Sequence, residues 1–435
     1  MGKANLKPMY YDELTGLPDY KLLKNILTDY IRRSSCSQLA GWNKFALVYL
    51  DINNFKYLNE TYGYKICDNI IKCIADYLAA KVKNPSYVTR VTSDKFAVLC
   101  TDLESELQLN EMIDDMINNS CNIRISDYVI YITMSAGVAL YPQHGRDIDT
   151  LMKKAETASY MAKKTGKEIN IYSDELQKGI VEQVQMINKL QQAIEKEEFT
   201  LFFQPEYNLF TNEIIGVEAL VRWFSTDSGY ISPDLFIPVA EKSKQIYGLE
   251  RWIVNQALNQ KEQWERDGLN NLELSINLSS KTLESESNFQ KIEEIISSHK
   301  ADLSKVTFEI TETIILSQID LAIERLKRLR EYGIKIALDD FGTGYSSFTH
   351  MMKLPVDIIK IDKSFIQSVP YGNEETVITH NILSLAHELN YRVVAEGIET
   401  QEQLEYLRSI FCERGQGYLL CKPLPPSKIS EILLR

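Results

Sequence analysis

Two domains of α/β class are expected, an α+β, ferredoxin-like unit followed by a (β/α)8, TIM-like barrel. Three observations carry this expectation. The chain has 435 residues, more than one ordinary domain holds. Its first half mixes strands and helices in an α+β order. From about residue 200 onward, eight short apolar runs alternate with amphipathic helical patterns, which is what a barrel of about 250 residues requires. A doubly wound open sheet would show the same alternation, so periodicity alone does not close the barrel.

In the first half, Lys44–Leu50 (KFALVYL) is a buried strand ending at Asp51. Ile66, Ile70, Ile74 and Leu78 recur every four residues and predict an amphipathic helix. Tyr87–Val91 and Phe96–Cys100 flank Thr92-Ser93-Asp94-Lys95 as a hairpin. A helix over 104–119, a strand over 129–134, a helix over 147–164 and a strand over 169–172 follow. Residues 173–182 are polar with one glycine and are placed as a linker, giving domains 1–172 and 183–435. The second-half strands are Leu201–Phe203, Ile214–Val217, Leu272–Ile276, Val306–Phe308, Ile334–Leu338, Val356–Ile361, Arg392–Ala395 and Gly417–Leu420. Helical patterns such as Leu249–Trp264, Ile319–Leu329 and Glu374–Leu389 separate them.

Composition narrows the function. A hydrophobic share of 44% with 25% charged residues excludes disorder as the main state. No apolar run approaches the roughly 18 residues that cross a bilayer, and the first residues lack the regions of a signal peptide. A cytoplasmic protein is therefore expected. The seven cysteines form no CxxC pair, which argues against a thiolate metal site or a disulfide scaffold. A net charge of −12 argues against broad nucleic-acid binding.

The carboxyl ends of the barrel runs carry the chemistry. Glu218 follows one run, and Asn277, Glu309, the pair Asp339 and Asp340, and Glu396 end others; Lys360 lies within VDIIKID. In a parallel barrel these positions share one rim, the rim where such folds place their sites. Several carboxylates and an amide, with no histidine or thiolate, make a hard-oxygen set suited to Mg²⁺ or Mn²⁺. Adjacent aspartates that can bridge two ions suit phosphodiester hydrolysis. Any one of these acids alone is as readily a helix cap; so many converging without a cation would repel one another.

The stretch EALVRW at 218–223 resembles the signature of the EAL family of cyclic di-GMP phosphodiesterases. FFQP (202–205), ISPDLFIPVAE (231–241), INLS (276–279), EITET (309–313), LDDFGTGYSS (338–347), IKID (359–362), AEGIET (395–400) and QGYLLCKPLP (416–425) extend the likeness across 183–435. The resemblance implies that Glu218, Asn277, Glu309 and Asp339 hold one metal, with Asp339 and Asp340 linking to a second. Glu396 matches a residue that either holds the second metal or accepts a proton. Lys360 matches the lysine that holds the attacking water, Glu312 and Glu399 match residues that order loops, and Gln204, Leu220, Arg222 and Gln416 match substrate contacts. The implied reaction is attack of water activated by Mg²⁺ or Mn²⁺ on one phosphodiester, opening cyclic di-GMP to linear pGpG. The loop after Asp340, with His350, Met351 and Met352, is where family members commonly pair as homodimers. The alternative function is a silent cyclic di-GMP receptor that signals to a partner; the full set of acids with Lys360 argues against it.

The first domain is similar to the GGDEF diguanylate cyclase family, a nucleotide-cyclase-like fold, through LTGLPD (14–19), LDINNFKYLNETYGY (50–64), Asp68 and AETASYMAKKTGK (155–167). Where the family has Gly-Gly-Asp/Glu-Glu-Phe, this chain has Thr92-Ser93-Asp94-Lys95-Phe96. Both glycines that permit close backbone approach to nucleotide are gone, and Lys95 inverts a charge where Mg²⁺ and triphosphate would gather. Asn53 stands where a second aspartate is frequent. Cyclase activity is not expected. Asp51, Asn59, Asp68, Asp94 and Lys163 match nucleotide-facing positions, and a GTP-sensing role for this domain is the sharper alternative to a retired surface.

Overall fold

The structure is a computed structural model that describes residues 10–36, 45–82, 86–101, 105–118, 122–125, 128–312, 319–342, 353–369 and 374–434. The chain divides into two compact units, Met1–Glu182 and Gln183–Arg435, each with its own core.

The strands of the first unit are β1 (Phe45–Ile52), β2 (Tyr87–Thr92), β3 (Lys95–Cys100), β4 (Asn122–Ile125), β5 (Tyr128–Tyr131), β6 (Met134–Tyr141) and β7 (Ile169–Ile171). The main sheet has the order β2-β3-β1-β6-β7, antiparallel except for β6–β7. Strand β1 is central and covered on both faces. Ala46, Val48 and Leu50 pack with Ile70 and Ile74 of the helix Tyr64–Lys81, whereas Phe45, Leu47 and Tyr49 pack with Leu23, Leu27 and Leu151. Burial on both faces is why KFALVYL reads as an unbroken apolar run.

Two expectations change here. The strand expected at 129–134 is two elements: β5 pairs with β4 as a separate ribbon, and β6 enters the sheet from residue 134. The β6 sequence MSAGVALY is rich in small residues and gives a weak apolar signal. Its glycine has a packing reason, since a Cβ on Gly137 would lie 2.0 Å from the backbone N of Ser159 in the helix Ile148–Thr165. The polar stretch 173–182 is helical from Asp174 onward, the start of one helix spanning Asp174–Glu195, and the division between units falls inside that helix, after Glu182.

The second unit continues with β8 (Phe199–Asn208), β9 (Ile214–Ser225), β10 (Gly229–Ile231), β11 (Glu273–Asn277), β12 (Val306–Thr311), β13 (Lys335–Phe341), β14 (Ile358–Ile361), β15 (Arg392–Ala395) and β16 (Arg414–Gly415). The order β9-β11-β12-β13-β14-β15-β16-β8 closes on itself through β8–β9, forming an eight-stranded barrel with β10 on its edge. Neighbours from β9 to β16 run parallel, but β8 is antiparallel to both of its partners. The cause is the connection: residues 209–213 form a hairpin, far shorter than the crossover a parallel pair needs. Asn208 supports that turn by accepting the N–H groups of Phe210 and Thr211 (2.9 and 3.0 Å). The last strand is Arg414–Gly415, while 417–420 turn across Ile398, whose backbone N–H and C=O bond Gln416 O and Leu419 N. Among the described residues no helix is long and apolar enough to cross a membrane.

The amino-terminal rim of the barrel is charge-compensated. Arg414 Nη1 lies 3.1 Å from Glu206 Oε1 and 2.6 Å from Glu273 Oε2, and Lys335 Nζ lies 2.8 Å from Glu273 Oε1. Burial raises the Glu273 carboxyl, but Arg414 and Lys335 bring it down to about 2. A depressed carboxyl contributes stability above its unfolded value of about 4.3, and the contribution is lost as pH falls toward 2. Allowing for partial exposure, Glu273→Gln should cost about 2 kcal/mol at pH 7. Urea denaturation at pH 7 and pH 3 checks this: the deficit should shrink at pH 3, and an equal deficit at both values would refute the ion-pair account.

Candidate active site

The opposite rim collects the acids. Glu218 on β9 and Gln204 on β8 face one another in register, as do Asn277 at the end of β11 and Glu309 on β12. Asp339 and Asp340 close β13, Lys360 lies on β14, and Glu396 and Gln416 follow the last residues of β15 and β16. Strand alternation would send Asp339 and Asp340 to opposite faces. Instead the pairing of β13 with β14 shifts between Leu338 and Phe341, and Asp340 takes a left-handed φ of 55°. This irregularity turns both carboxylates to one side. Oxygens of Asp339, Asp340 and Glu396 all lie within 4.8 Å of one another.

Lys360 is the hub, 2% exposed. Its Nζ lies 2.6 Å from Glu396 Oε1, 2.8 Å from Glu309 Oε2, 3.4 Å from Glu218 Oε2 and 3.7 Å from Asp339 Oδ1. Two amides complete the ring: Asn277 Nδ2 donates to Glu218 Oε1 (2.8 Å), and Gln416 Nε2 donates to Glu218 Oε2 (2.7 Å) and Glu396 Oε1 (3.0 Å).

The acids respond differently to this environment. Burial raises Glu218, but Lys360, Gln416 and Asn277 outweigh it and hold the carboxyl below its ordinary value. Burial drives Glu309 well above the carboxylate range, with Glu218, Asp339 and Glu396 adding to the push against Lys360. For the same reason Asp339 is raised, Asp340 reaches about 6 and Glu396 about 8. Burial works against the Lys360 ammonium, yet Asp339, Glu218, Glu309 and Glu396 together lift its pKa well above normal. One lysine does not neutralise five clustered acids. A further positive charge is what this oxygen set lacks, and its chemistry fits a divalent cation of the Mg²⁺ or Mn²⁺ type.

A cleft of about 390 Å³ leads from these acids past Leu220 and Arg222 to Pro233 and Ile237. Gln204 is buried, its Nε2 donating to Cys421 O at 3.2 Å, and Arg222 donates to Val221 O at 2.9 Å. Glu312 is buried and accepts Gly342 N–H at 3.1 Å, which ties it to the segment just after Asp340. Glu399 is exposed at the start of the helix Gln401–Ser409, with its backbone N–H donating to Gln403. The 343–352 stretch, with His350, Met351 and Met352, lies outside the described residues.

One contributor was not anticipated. Glu250, buried in the helix Ile246–Arg266, accepts the Ser279 N–H and the Thr282 hydroxyl, and so holds the turn that follows Asn277. Burial lifts its carboxyl to about 8. The signal was present: Leu249, Glu250, Ile253, Val254 and Ala257 share the apolar face of that helix, where a lone acid is out of place.

In the first unit, Asp51 and Lys163 are paired with each other at 2.6 Å, and Lys163 also reaches Ile52 O. Lys95 lies 3.1 Å from Glu156. Asn53 is held by Thr133 and Ser135. Ser93 has φ 36° with its carbonyl held by Arg90, and the Asp94 carbonyl accepts Ile52 N–H. Asp68 is exposed, while Asn59 Oδ1 is buried without a partner.

Fold and site together define a modified β/α barrel with an acidic, cation-accepting rim, preceded by a nucleotide-cyclase-like α+β domain. A family model described as the EAL domain matches residues 187–423, and one described as the diguanylate cyclase, GGDEF domain matches residues 9–169. The chain belongs to the EAL family, with a GGDEF-family domain before it. It is 31% identical to the cyclic di-GMP phosphodiesterase NbdA of Pseudomonas aeruginosa, over 99% of this chain and 55% of that protein. It is 29% identical to the cyclic di-GMP phosphodiesterase PdeR of Escherichia coli, over 95% of this chain and 62% of that one. The chain thus spans 55–62% of the length of these curated relatives. Among solved structures, the PaMucR phosphodiesterase in complex with c-di-GMP aligns with a TM-score of 0.54 at 33% identity, over 56% of this chain and 99% of that one. The Vibrio cholerae LapD S helix-GGDEF-EAL structure aligns over 94% of this chain and 96% of that one, with a TM-score of 0.55; at 19% identity it shows the fold alone.

Proposed function

We propose that the barrel hydrolyses cyclic di-GMP to linear pGpG with two Mg²⁺ or Mn²⁺ ions. The observation that carries this is the convergence of Glu218, Glu309, Asp339 and Glu396 on Lys360, with Asp340 beside Asp339 and Glu396, next to a cleft that reaches Arg222. Glu218, Asn277, Glu309 and Asp339 would hold one ion, with Asp339, Asp340 and Glu396 toward the other. Bound there, the ions would supply Lewis-acid polarisation of phosphate and water.

The chain's own groups do the rest. Lys360 places a fixed ammonium where the attacking water and the developing negative charge need it. Glu396, 2.6 Å from Lys360 Nζ, is placed either to help hold the second ion or to accept a proton from the attacking water. Asn277 and Gln416 orient the Glu218 carboxylate, while Arg222, with its forked donors, suits a phosphate of the substrate. Leu220 lines the approach, and Gln204, opposite Glu218 in register, is a further substrate contact.

The first domain is proposed to lack cyclase activity, because Lys163 closes on Asp51 and Lys95 on Glu156 where triphosphate and metal would gather. The partnerless Asn59 Oδ1 supports a retained guanine contact and a GTP-sensing role. Incubation of the protein with cyclic di-GMP and Mg²⁺ or Mn²⁺ should yield pGpG, with GTP changing the rate and no cyclic di-GMP made from GTP. Tight binding of cyclic di-GMP without turnover would overturn hydrolysis in favour of a receptor. Saturable GTP binding that leaves the rate untouched would remove the regulatory role.

A further inference from the structure

We propose that Phe224 and Tyr230 form an outer platform on which a guanine base of the substrate stacks, beyond the cleft that holds the phosphates. The proposal rests on the cyclic dinucleotide reading above.

The platform follows from strand register. Gln204 pairs with Glu218, Phe202 with Leu220, Thr200 with Arg222, and Tyr230 with Phe224. Side chains alternate along a strand, so Glu218, Leu220, Arg222 and Phe224 share one face of β9. That face begins at the acids and continues outward through Arg222. The Arg222 guanidinium lies 5.9 Å from the Phe202 ring centre, Phe202 lies 6.2 Å from Phe224, and Phe224 lies 5.6 Å from Tyr230. Phe224 is 48% exposed and Tyr230 53%. Phe224 stands two residues past Arg222, about 7 Å along the strand.

The opposite face anchors the ribbon. Trp223 is fully buried against Phe199 and Phe236, and its indole N–H donates to Glu198 Oε2 at 3.0 Å. The Thr226 hydroxyl donates to Glu198 Oε1 at 2.9 Å. The exposed rings are therefore held in place before any ligand arrives, which lowers the entropic cost of stacking on them. A row of ring faces that includes a guanidinium suits a ligand with both flat bases and phosphates, the combination single-stranded nucleotide sites use. Arg222 lines the cleft and also lies over Phe202, and this link between cleft and rings selects the substrate's own base as the occupant.

The test measures affinity for cyclic di-GMP by calorimetry in EDTA, and turnover of bis(p-nitrophenyl) phosphate, a diester with no base, with Mn²⁺. Phe224→Ala and Tyr230→Ala should each weaken cyclic di-GMP binding about 10-fold, the worth of one stack. The ratio of cyclic di-GMP affinity to base-free turnover should fall by the same factor, and Phe224→Tyr should restore it. If the wild type binds and both alanine variants bind equally well, the platform is refuted while the phosphodiesterase reading stands. Equal losses on both ligands would assign the rings to folding alone. A wild type that neither binds cyclic di-GMP nor hydrolyses it with Mn²⁺ would defeat the functional reading, and the platform with it.

Discussion

Lys360→Met should cost about 3–5 kcal/mol of stability at pH 7.5 without divalent ions, because it removes one partner from a buried ionic cluster. The raised Lys360 pKa means that its contribution is fully present below the unfolded lysine value of about 10.4, and so throughout the neutral range. The acids work in the other direction. A carboxyl such as Glu396, at about 8 when folded and about 4.3 when unfolded, binds more protons in the native state between those values. Stability therefore falls as pH rises through that window, by about 1.4 kcal/mol for each tenfold difference in proton affinity. Without the ammonium the acids repel more strongly, so the variant's deficit should be largest near pH 8 and shrink toward pH 5. Added Mg²⁺ or Mn²⁺ should raise the melting temperature of the variant more than that of the wild type. Thermal melts across pH 5–8, with and without each ion, read all of this. A deficit that ignores both pH and metal would mean that Lys360 is a packing residue. Turnover of cyclic di-GMP by the variant should also fall about 10²–10³-fold, the usual cost of removing one preorganised donor to developing charge.

Glu218→Ala should reduce cyclic di-GMP hydrolysis by at least about 10³-fold, several kcal/mol of transition-state stabilisation. The reason is local. Glu218 is held below its ordinary pKa while Glu309, Asp339, Asp340 and Glu396 are pushed above theirs. It is the acid of this cluster whose charged form its neighbours favour, and it receives both Asn277 and Gln416. Deleting it removes a charged oxygen pair and frees two amides at once. Glu218→Gln keeps the volume and tests charge alone. Steady-state assays with far-UV circular dichroism as a folding control distinguish the cases. If the glutamine variant keeps more than a tenth of wild-type turnover, Glu218 serves geometry rather than cation binding.

Sequence reasoning reached the acids because each one closes an apolar run, and a barrel brings such positions to one rim whatever the loops do. The burial of KFALVYL and the helix over Ile66–Leu78 were legible for a similar reason: local hydrophobic period reports which face meets a core. The small-residue strand β6 was not legible, since its glycine and alanines make room for a helix and leave little apolar signal. The polar segment 173–182 read as a connector, although the same polarity suits an exposed helix face. The antiparallel β8 was within reach, because the few residues joining it to β9 leave no space for a crossover.

What the sequence determined was the inventory: two folding units, an ordered set of strand-end acids with one lysine, and a hairpin in which Thr92, Ser93 and Lys95 replace the expected residues. Tertiary structure alone decided how these charges meet. Whether Asp339 and Asp340 face together depends on a shift in pairing with β14, a strand distant in sequence, and on a left-handed backbone at Asp340. Whether Lys360 touches four acids or none depends on barrel closure, which brings β9, β12, β13 and β15 around β14. The pairing of Asp51 with Lys163, and the row from Arg222 to Tyr230, arise the same way. Charge and side-chain type are local properties of a chain, whereas the distances that set Coulomb energy, proton affinity and stacking exist only once non-neighbouring segments have packed.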